Sequence, residues 1–88
     1  MSPWPRLVGR YVHFIWPDRG WAGGRVMDVV YGGPDLIEAK VLPTSKKRAL
    51  WIPAADVRFV VLSTLFGELC LSLSEWRKGD SAQRGDGR

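Results

Sequence analysis

Residues 10–62 form five short runs rich in β-branched and aromatic residues, and a proline or glycine separates each run from the next. Such runs are typical of β-strands, because branched and aromatic side chains pack well on a pleated sheet. We predict strands over residues 10–16, 24–31, 36–42, 49–52 and 57–62. Residues 53–56 are predicted to form a short 3₁₀-like turn between the last two strands. Five short strands at this spacing predict a mainly β fold, either a small barrel or a sandwich.

From Leu62 onward, the large apolar residues are spaced by alternate steps of four and three. This spacing is typical of the apolar face of an amphipathic helix, and it predicts a helix over residues 63–78. The face would consist of Phe66, Leu69, Leu73 and Trp76. Gly67 lies inside that span and costs about 1 kcal/mol relative to alanine, and residues 69–74 also alternate with period two. A hairpin that turns at residues 66–68 is therefore the alternative.

With 88 residues, the chain is expected to form one domain with a thin core. The predicted parts are an N-terminal arm (1–8), a barrel or sandwich (9–62), the helix (63–78) and a tail (79–88). Trp4 in the arm is predicted to fold over one end of the β domain. Trp51 is predicted to lie in the core, because it sits within an apolar strand. The tail has no apolar residue larger than alanine, and it is predicted to be disordered.

The composition argues against several kinds of site. Cys70 is the single cysteine and His13 the single histidine, so we expect neither an intramolecular disulfide nor a metal site. Cys70 itself is expected to be a small buried residue. The chain has no basic-then-apolar secretion signal, and no apolar run approaches the ~20 residues needed to span a bilayer. We therefore expect a cytoplasmic protein that uses no cofactor.

The net charge of +4 is concentrated in the first part of the chain. Residues 1–62 contain nine Lys or Arg and five Asp or Glu, whereas residues 63–88 contain four of each kind. The most concentrated basic run is Lys46-Lys47-Arg48. An excess of this kind suits a polyanionic partner, although a run of three basic residues is also common in solvated loops.

Aromatic and basic residues are interleaved around the first predicted turn, where two tryptophans bracket the sequence Pro-Asp-Arg-Gly. In nucleic-acid-binding proteins, aromatic rings stack on bases while Lys and Arg attract phosphates. Our first hypothesis is therefore a non-enzymatic binding module for nucleic acid. The candidate residues are Trp16, Arg19, Trp21, Arg25, Lys46, Lys47 and Arg48. If the turn instead folds onto the β domain, the two tryptophans would cap the core.

The order of these landmarks resembles the SH3-like small barrels of Tudor domains and of the C-terminal domains of retroviral integrases. The matching features are Gly9-Arg10-Tyr11-Val12, the tryptophan-containing first loop, Gly24-Arg25-Val26 and residues 51–58 with their Pro-Ala-Ala-Asp turn. In such barrels a 3₁₀ turn separates the last two strands. The resemblance implies a five-stranded SH3-like barrel over residues 9–62, followed by the C-terminal amphipathic helix and the disordered tail.

The resemblance to Tudor domains also implies a second hypothesis, an aromatic cage for a methylated ammonium or guanidinium group. The walls would be Trp16, Trp21 and Tyr31, with Asp18 or Asp35 as the carboxylate. The basic loop over residues 44–48 would repel such a cation. A related alternative is a protein-binding or assembly adaptor, which would dimerise through a helix face. That face would consist of Phe66, Leu69, Leu73 and Trp76.

The outline is also similar to that of the plasmid-encoded type II dihydrofolate reductases, which are SH3-like barrels that assemble a shared pore as tetramers. Their pore-lining segment Val-Gln-Ile-Tyr precedes the proline, whereas residues 49–52 of this chain are Ala-Leu-Trp-Ile. The glutamine and tyrosine that would contact cofactor and folate are missing from these positions. Because the sequence offers no other recognisable catalytic set, we expect no enzymatic activity.

Overall fold

The structure is a computed structural model that describes the backbone of residues 2–86 and the side chains of residues 2–79. The strands within these residues are β1 (Tyr11–Trp16), β2 (Gly20–Gly32), β3 (Asp35–Pro43), β4 (Leu50–Pro53), β5 (Val57–Thr64) and β6 (Gly67–Leu71), and the helix is α1 (Leu73–Asp86). All neighbouring strands are antiparallel, and they form one sheet in the order β4-β3-β2-β1-β5-β6. Two 3₁₀ turns, Pro5–Leu7 and Ala54–Asp56, lie before β1 and β5.

The mainly β class is confirmed, and each of the five predicted strands overlaps an observed one, but the described residues form six strands, because β6 lies where a helix was predicted. β2 differs most, because it begins at Gly20 and pairs with β1 directly after the first turn. The predicted 3₁₀ turn before β5 is also confirmed. The inward faces of the strands pack around a core that includes the fully buried side chains of Val12, Phe14, Val26, Val41 and Val60. In the part of the chain that the structure describes, no helix has the length and apolar character needed to cross a membrane.

The helix predicted over residues 63–78 is wrong over residues 63–72, where the alternative of a hairpin is correct except that its turn comes slightly earlier than residues 66–68. The chain turns at residues 65–66, and β6 pairs with β5 from Gly67 to Leu71. Gly67 has a φ of 123°, far from the helical region, and glycine adopts such a value readily because it lacks a Cβ atom. The Thr64 hydroxyl donates a 2.7 Å hydrogen bond to the Gly67 carbonyl and closes the turn. The predicted apolar face is therefore divided between this hairpin and α1.

α1 begins directly after Ser72, which forms a capping box with Glu75. The Glu75 amide donates a 3.1 Å hydrogen bond to the Ser72 hydroxyl, and the Ser72 amide donates a 2.9 Å hydrogen bond to the Glu75 carboxylate. The two bonds satisfy amides that the helix itself leaves without partners. Leu71 before the cap packs against the core, and Trp76 after it belongs to the core. Together these contacts start the helix at residue 73.

α1 also includes residues 79–86, where the composition predicted a disordered tail. Once a helix has been nucleated, each added residue contributes one backbone hydrogen bond, so the helix can continue into a polar segment. Residues 87–88, the rest of the predicted tail, lie outside the described residues.

The capping box makes stability depend on pH. Hydrogen bonds from the Ser72 backbone and then from its side chain lower the pKa of Glu75 from its ordinary value of 4.5. A carboxyl whose pKa is lower in the folded state stabilises the fold above its unfolded pKa, and this contribution disappears as the pH falls through the folded value. Glu75→Gln should therefore reduce the loss of melting temperature that occurs below about pH 4.5.

Ser72→Ala should lower the free energy of unfolding by about 1 kcal/mol at pH 7.

Thermal melts followed by circular dichroism from pH 3 to pH 7 would check this prediction. Glu68→Gln is the matched control, because Glu68 is an exposed carboxylate on β6 and does not cap a helix. Identical pH profiles for the two variants would contradict a capping role for Glu75.

The N-terminal arm and α1 interlock at one end of the sheet. Trp4 is buried, and its indole N–H donates a 3.1 Å hydrogen bond to the Pro34 carbonyl, so the predicted folding back of Trp4 is confirmed. Trp76 is also buried, and its indole N–H donates a 3.1 Å hydrogen bond to the Pro3 carbonyl. Arg77 adds a 3.3 Å hydrogen bond to the Pro34 carbonyl. These bonds connect the arm, the β2–β3 turn and α1.

Candidate functional site

The two tryptophans that bracket the β1–β2 turn lie on opposite faces of the sheet. Trp16 ends β1 on the same side as Phe14, and the two ring centroids are 6.2 Å apart. Trp21 is paired with Ile15, whose side chain points to the outer face, and Trp21 is 62% exposed. Paired residues of antiparallel strands share a face, so Trp21 faces outward while Trp16 packs at the edge of the core. Trp16 therefore has the position of a residue that caps the core, and Trp21 has the exposed position that contact with a ligand requires.

Trp16 brings together basic residues from two separate segments. The guanidinium carbon of Arg19, in the β1–β2 turn, lies 5.1 Å from the Trp16 ring centroid. The ammonium of Lys46, in the loop between β3 and β4, lies 5.7 Å from the same ring. Both distances are within the range of cation–π attraction. Trp16 therefore holds cations from the turn and from the loop close to each other.

Two grooves adjoin at Trp16. The first has a volume of about 300 Å³ and is lined by Trp16, Lys46, Lys47, Arg48 and Leu50. The second has a volume of about 260 Å³, and its lining includes Tyr11, Trp16, Arg19, Trp21, Gly23 and Thr44. The two grooves together contain six of the seven residues predicted to bind nucleic acid.

Hydrogen bonds attach the start of the basic loop to β2. The Thr44 amide donates a 3.0 Å bond to the Gly23 carbonyl, and the Thr44 hydroxyl donates a 3.2 Å bond to the same oxygen. The Tyr11 hydroxyl lies 3.0 Å from the Thr44 hydroxyl. A Cβ atom at Gly23 would overlap the Tyr11 ring, so glycine is needed where the ring crosses β2. These contacts fix the position of the loop relative to Trp21.

Phe59 belongs to this surface, and the sequence did not predict it as a site residue. Its ring stacks on Trp21 with a centroid distance of 6.0 Å and an interplanar angle of 12°, and it is 39% exposed. The register of β5 on β1 shifts between His13 and Phe14, so that Arg58 and Phe59 are both exposed on β5. Regular alternation from the buried Val57 would turn Phe59 inward. The sequence contains no signal for this irregularity, and only the paired strands reveal it.

Arg25 and Tyr31, which were also predicted as site residues, line neither groove. Arg25 lies on β2, and its guanidinium donates a 2.6 Å hydrogen bond to the Gly9 carbonyl. Tyr31 lies near the other end of β2, ten residues beyond Trp21, which corresponds to roughly 33 Å of extended strand. Asp18 occupies the β1–β2 turn with a φ of 68°. The aromatic cage hypothesis requires Tyr31 beside the other two rings, and the strand separates them.

The residues of the predicted dimer face lie in three environments. Phe66 is 99% exposed at the tip of the β5–β6 hairpin, and Leu69 is exposed on β6. Leu73 is partly buried against the core, while Trp76 is fully part of it. Cys70, expected to be buried, is exposed on β6. A continuous helical dimer face is therefore not formed, because half of its residues lie on a strand hairpin.

Trp51 was predicted to lie in the core, and this prediction is wrong. Its neighbour Ile52 takes the inward position on β4, so Trp51 faces outward and is 44% exposed. The Lys40 ammonium lies 5.9 Å from its ring centroid. Trp51 lines neither of the two grooves at Trp16, which makes it a useful control for Trp21.

The charge around the grooves is strongly positive. The lining of the two grooves includes four basic residues, Arg19, Lys46, Lys47 and Arg48, and no Asp or Glu. Among the described residues, no group of three or more His, Cys, Asp or Glu is arranged to hold a metal ion. Comparisons with protein-family models, with curated proteins and with solved structures found no match.

Proposed function

We propose that this chain is a non-enzymatic binding module with an SH3-like barrel, and that it binds nucleic acid through the surface around Trp16. The barrel is supported by the return of β5 to pair with β1 and by the 3₁₀ turn Ala54–Asp56 between β4 and β5. The observation that carries the function is the pair of grooves that share Trp16. They bring aromatic rings and four cations from two separate segments onto one surface.

Two kinds of interaction would contribute to binding. Arg19, Lys46, Lys47 and Arg48 would attract phosphates, and neutralising a phosphate releases counterions from the nucleic acid. Exposed aromatic rings would stack on bases, with about 1–3 kcal/mol for each stacked base. Micromolar affinity corresponds to about 8 kcal/mol, which a few such contacts would reach after the entropy loss of association is subtracted.

Fluorescence anisotropy of a labelled 12-nucleotide strand would test the proposed function at 50 mM and 200 mM salt. We expect saturable binding that weakens as salt rises, with a logarithmic slope of about −2.8 if four phosphates are neutralised. Binding that is undetectable at 50 mM salt with 100 µM protein, or that does not change with salt, would contradict the proposal.

A second candidate function is self-assembly through the β5–β6 hairpin. Leu65 and Phe66 at its tip are almost completely exposed, and Leu69 extends the apolar surface along β6. β6 is also the last strand of the sheet order, so one of its edges has no strand partner within the described residues. Exposed apolar residues beside an open strand edge are typical of sites that associate with another chain.

Sedimentation velocity would test this candidate across protein concentrations from 10 to 200 µM. We expect the wild type to dimerise with rising concentration, and the double variant Leu65→Ser/Phe66→Ser to remain a monomer. Ile37→Ser is the control, because Ile37 is exposed on β3 and lies away from the hairpin. A wild type that remains monomeric over the whole range would count against self-assembly.

A further inference from the structure

Trp21 and Phe59 form a fixed aromatic surface on the outer face of the sheet. Their rings are nearly parallel, with an interplanar angle of 12° and a centroid distance of 6.0 Å. This separation is typical of offset stacking between aromatic side chains. Because Phe59 covers part of one face, the Trp21 ring keeps its orientation while remaining 62% exposed. A ring that is already oriented loses less rotamer entropy when a ligand stacks on it.

Trp16 is less suited to stack on a base. Its ring is partly buried, packs near Phe14, and has the cations of Arg19 and Lys46 within 6 Å of its centroid. Its contacts therefore position cations beside the grooves. The outer-face pair of Trp21 and Phe59 remains as the exposed aromatic surface next to those cations.

The surroundings of this pair favour a polyanion over other occupants. The two adjoining grooves at Trp16, one of which Trp21 also lines, contain four basic residues and no acidic one. The Tyr11 ring lies over Gly23 on the outer face of β2, and the groove of about 260 Å³ runs from Trp21 past this ring to Thr44 and Ser45 at the start of the basic loop. A flat group on Trp21 could therefore lie against the sheet while an attached phosphate meets the basic loop.

We infer that the ligand of this surface is single-stranded nucleic acid, with at least one base stacked on Trp21; this inference rests on the proposed function. In a duplex the faces of the bases are stacked on each other, so a duplex would offer the surface only its sugar–phosphate backbone. A single strand offers both exposed bases and phosphates. Trp21 shares one groove with Arg19, and the adjoining groove is lined by Lys46, Lys47 and Arg48. An exposed ring followed by cations along the surface matches a single strand.

The test compares four 12-nucleotide probes at 50 mM salt: single-stranded DNA, single-stranded RNA, a DNA duplex and a DNA strand with abasic sites throughout. We expect at least one of the base-containing single strands to bind roughly tenfold more tightly than the duplex or the abasic strand. Trp21→Ala should weaken the binding of the base-containing single strand roughly tenfold and leave the binding of the abasic strand unchanged. Trp51→Ala is the matched control, and it should change neither the affinity for the base-containing strand nor the affinity for the abasic strand. Trp21→Leu, which keeps an apolar side chain, replaces Trp21→Ala if that variant is unfolded by circular dichroism.

The outcomes separate the inference from the proposed function. Equal affinity for single strand, duplex and abasic strand, with no effect of Trp21→Ala, would overturn the inference and leave the nucleic-acid function in place. Binding of a polyglutamate peptide as tightly as the single strand would also overturn the inference. No salt-dependent binding of any of the four probes would overturn both. A preference between DNA and RNA supports the inference and identifies the sugar that is accommodated.

Discussion

Replacement of Trp76 by alanine should lower the free energy of unfolding by about 3–5 kcal/mol. Trp76 is 8% exposed and lies within the core, and its indole bonds to the Pro3 carbonyl. The substitution removes the largest side chain that attaches α1 to the sheet. It also leaves the Pro3 carbonyl without the indole donor. Because domains of this size are stabilised by only about 5–15 kcal/mol, we expect the melting temperature to fall by at least roughly 10 °C.

Thermal and urea unfolding of the variant should be compared with Trp51→Ala, which removes the same side chain from an exposed position. The control should lose no more than about 1.5 kcal/mol, because Trp51 contributes mainly cross-strand and cation–π contacts. Trp76→Phe keeps most of the apolar area and isolates the indole hydrogen bond, which is worth about 0.5–1.5 kcal/mol. Equal effects of Trp76→Ala and Trp51→Ala would contradict the docking of α1.

Removing two charges from the basic loop should have the largest effect on binding. The double variant Lys46→Gln/Lys47→Gln should reduce the salt slope for a single strand by about 1.4, at about 0.7 for each lost phosphate contact. If the affinity at 1 M salt is unchanged, this slope corresponds to roughly a 65-fold loss of affinity at 50 mM salt. Both lysines line the groove at Trp16, and Lys46 also contacts its ring. Anisotropy titrations at four salt concentrations would measure both the salt slope and the loss of affinity at 50 mM salt.

The control for this prediction is Lys40→Gln/Lys78→Gln, which also removes two positive charges. Lys40 lies beside Trp51, and Lys78 is exposed on α1. If binding depends on the grooves at Trp16, the control should weaken it only slightly. Equal losses in the two double variants would mean that net charge, and not this surface, determines affinity.

Much of the sheet could be predicted because strand signals are local. Runs such as Tyr11–Trp16 are rich in branched and aromatic residues and end at a proline or glycine, so they can be recognised as strands before their partner strands are known. β6 was harder to predict, because the spacing of Phe66, Leu69 and Leu73 fits a helix as well as a hairpin. The Ser-Leu-Ser-Glu sequence of residues 72–75, which forms the observed capping box, is a local signal for a helix start at residue 73 that the prediction missed.

The candidate site was predictable only where its residues are close in sequence or form a run of positive charge. Trp16, Arg19 and Trp21 belong to a single hairpin, and the basic loop over residues 44–48 is evident from composition. That Trp16 contacts both segments follows from the pairing of β2 with β3, which no single segment encodes. Phe59 was missed because a register shift on β5 brings it outward.

An ¹⁵N-HSQC titration of the full chain with a mixed-sequence single strand, at low and moderate salt, tests the central claim most directly. The five tryptophans have separate indole signals in principle, and each reports on one part of the structure. We predict saturable, salt-sensitive shifts of the Trp16 and Trp21 indoles together with the amides of residues 46–48, while the buried indoles of Trp4 and Trp76 stay unchanged. Silence of Trp21 and of the basic loop at saturating strand would contradict the nucleic-acid interface.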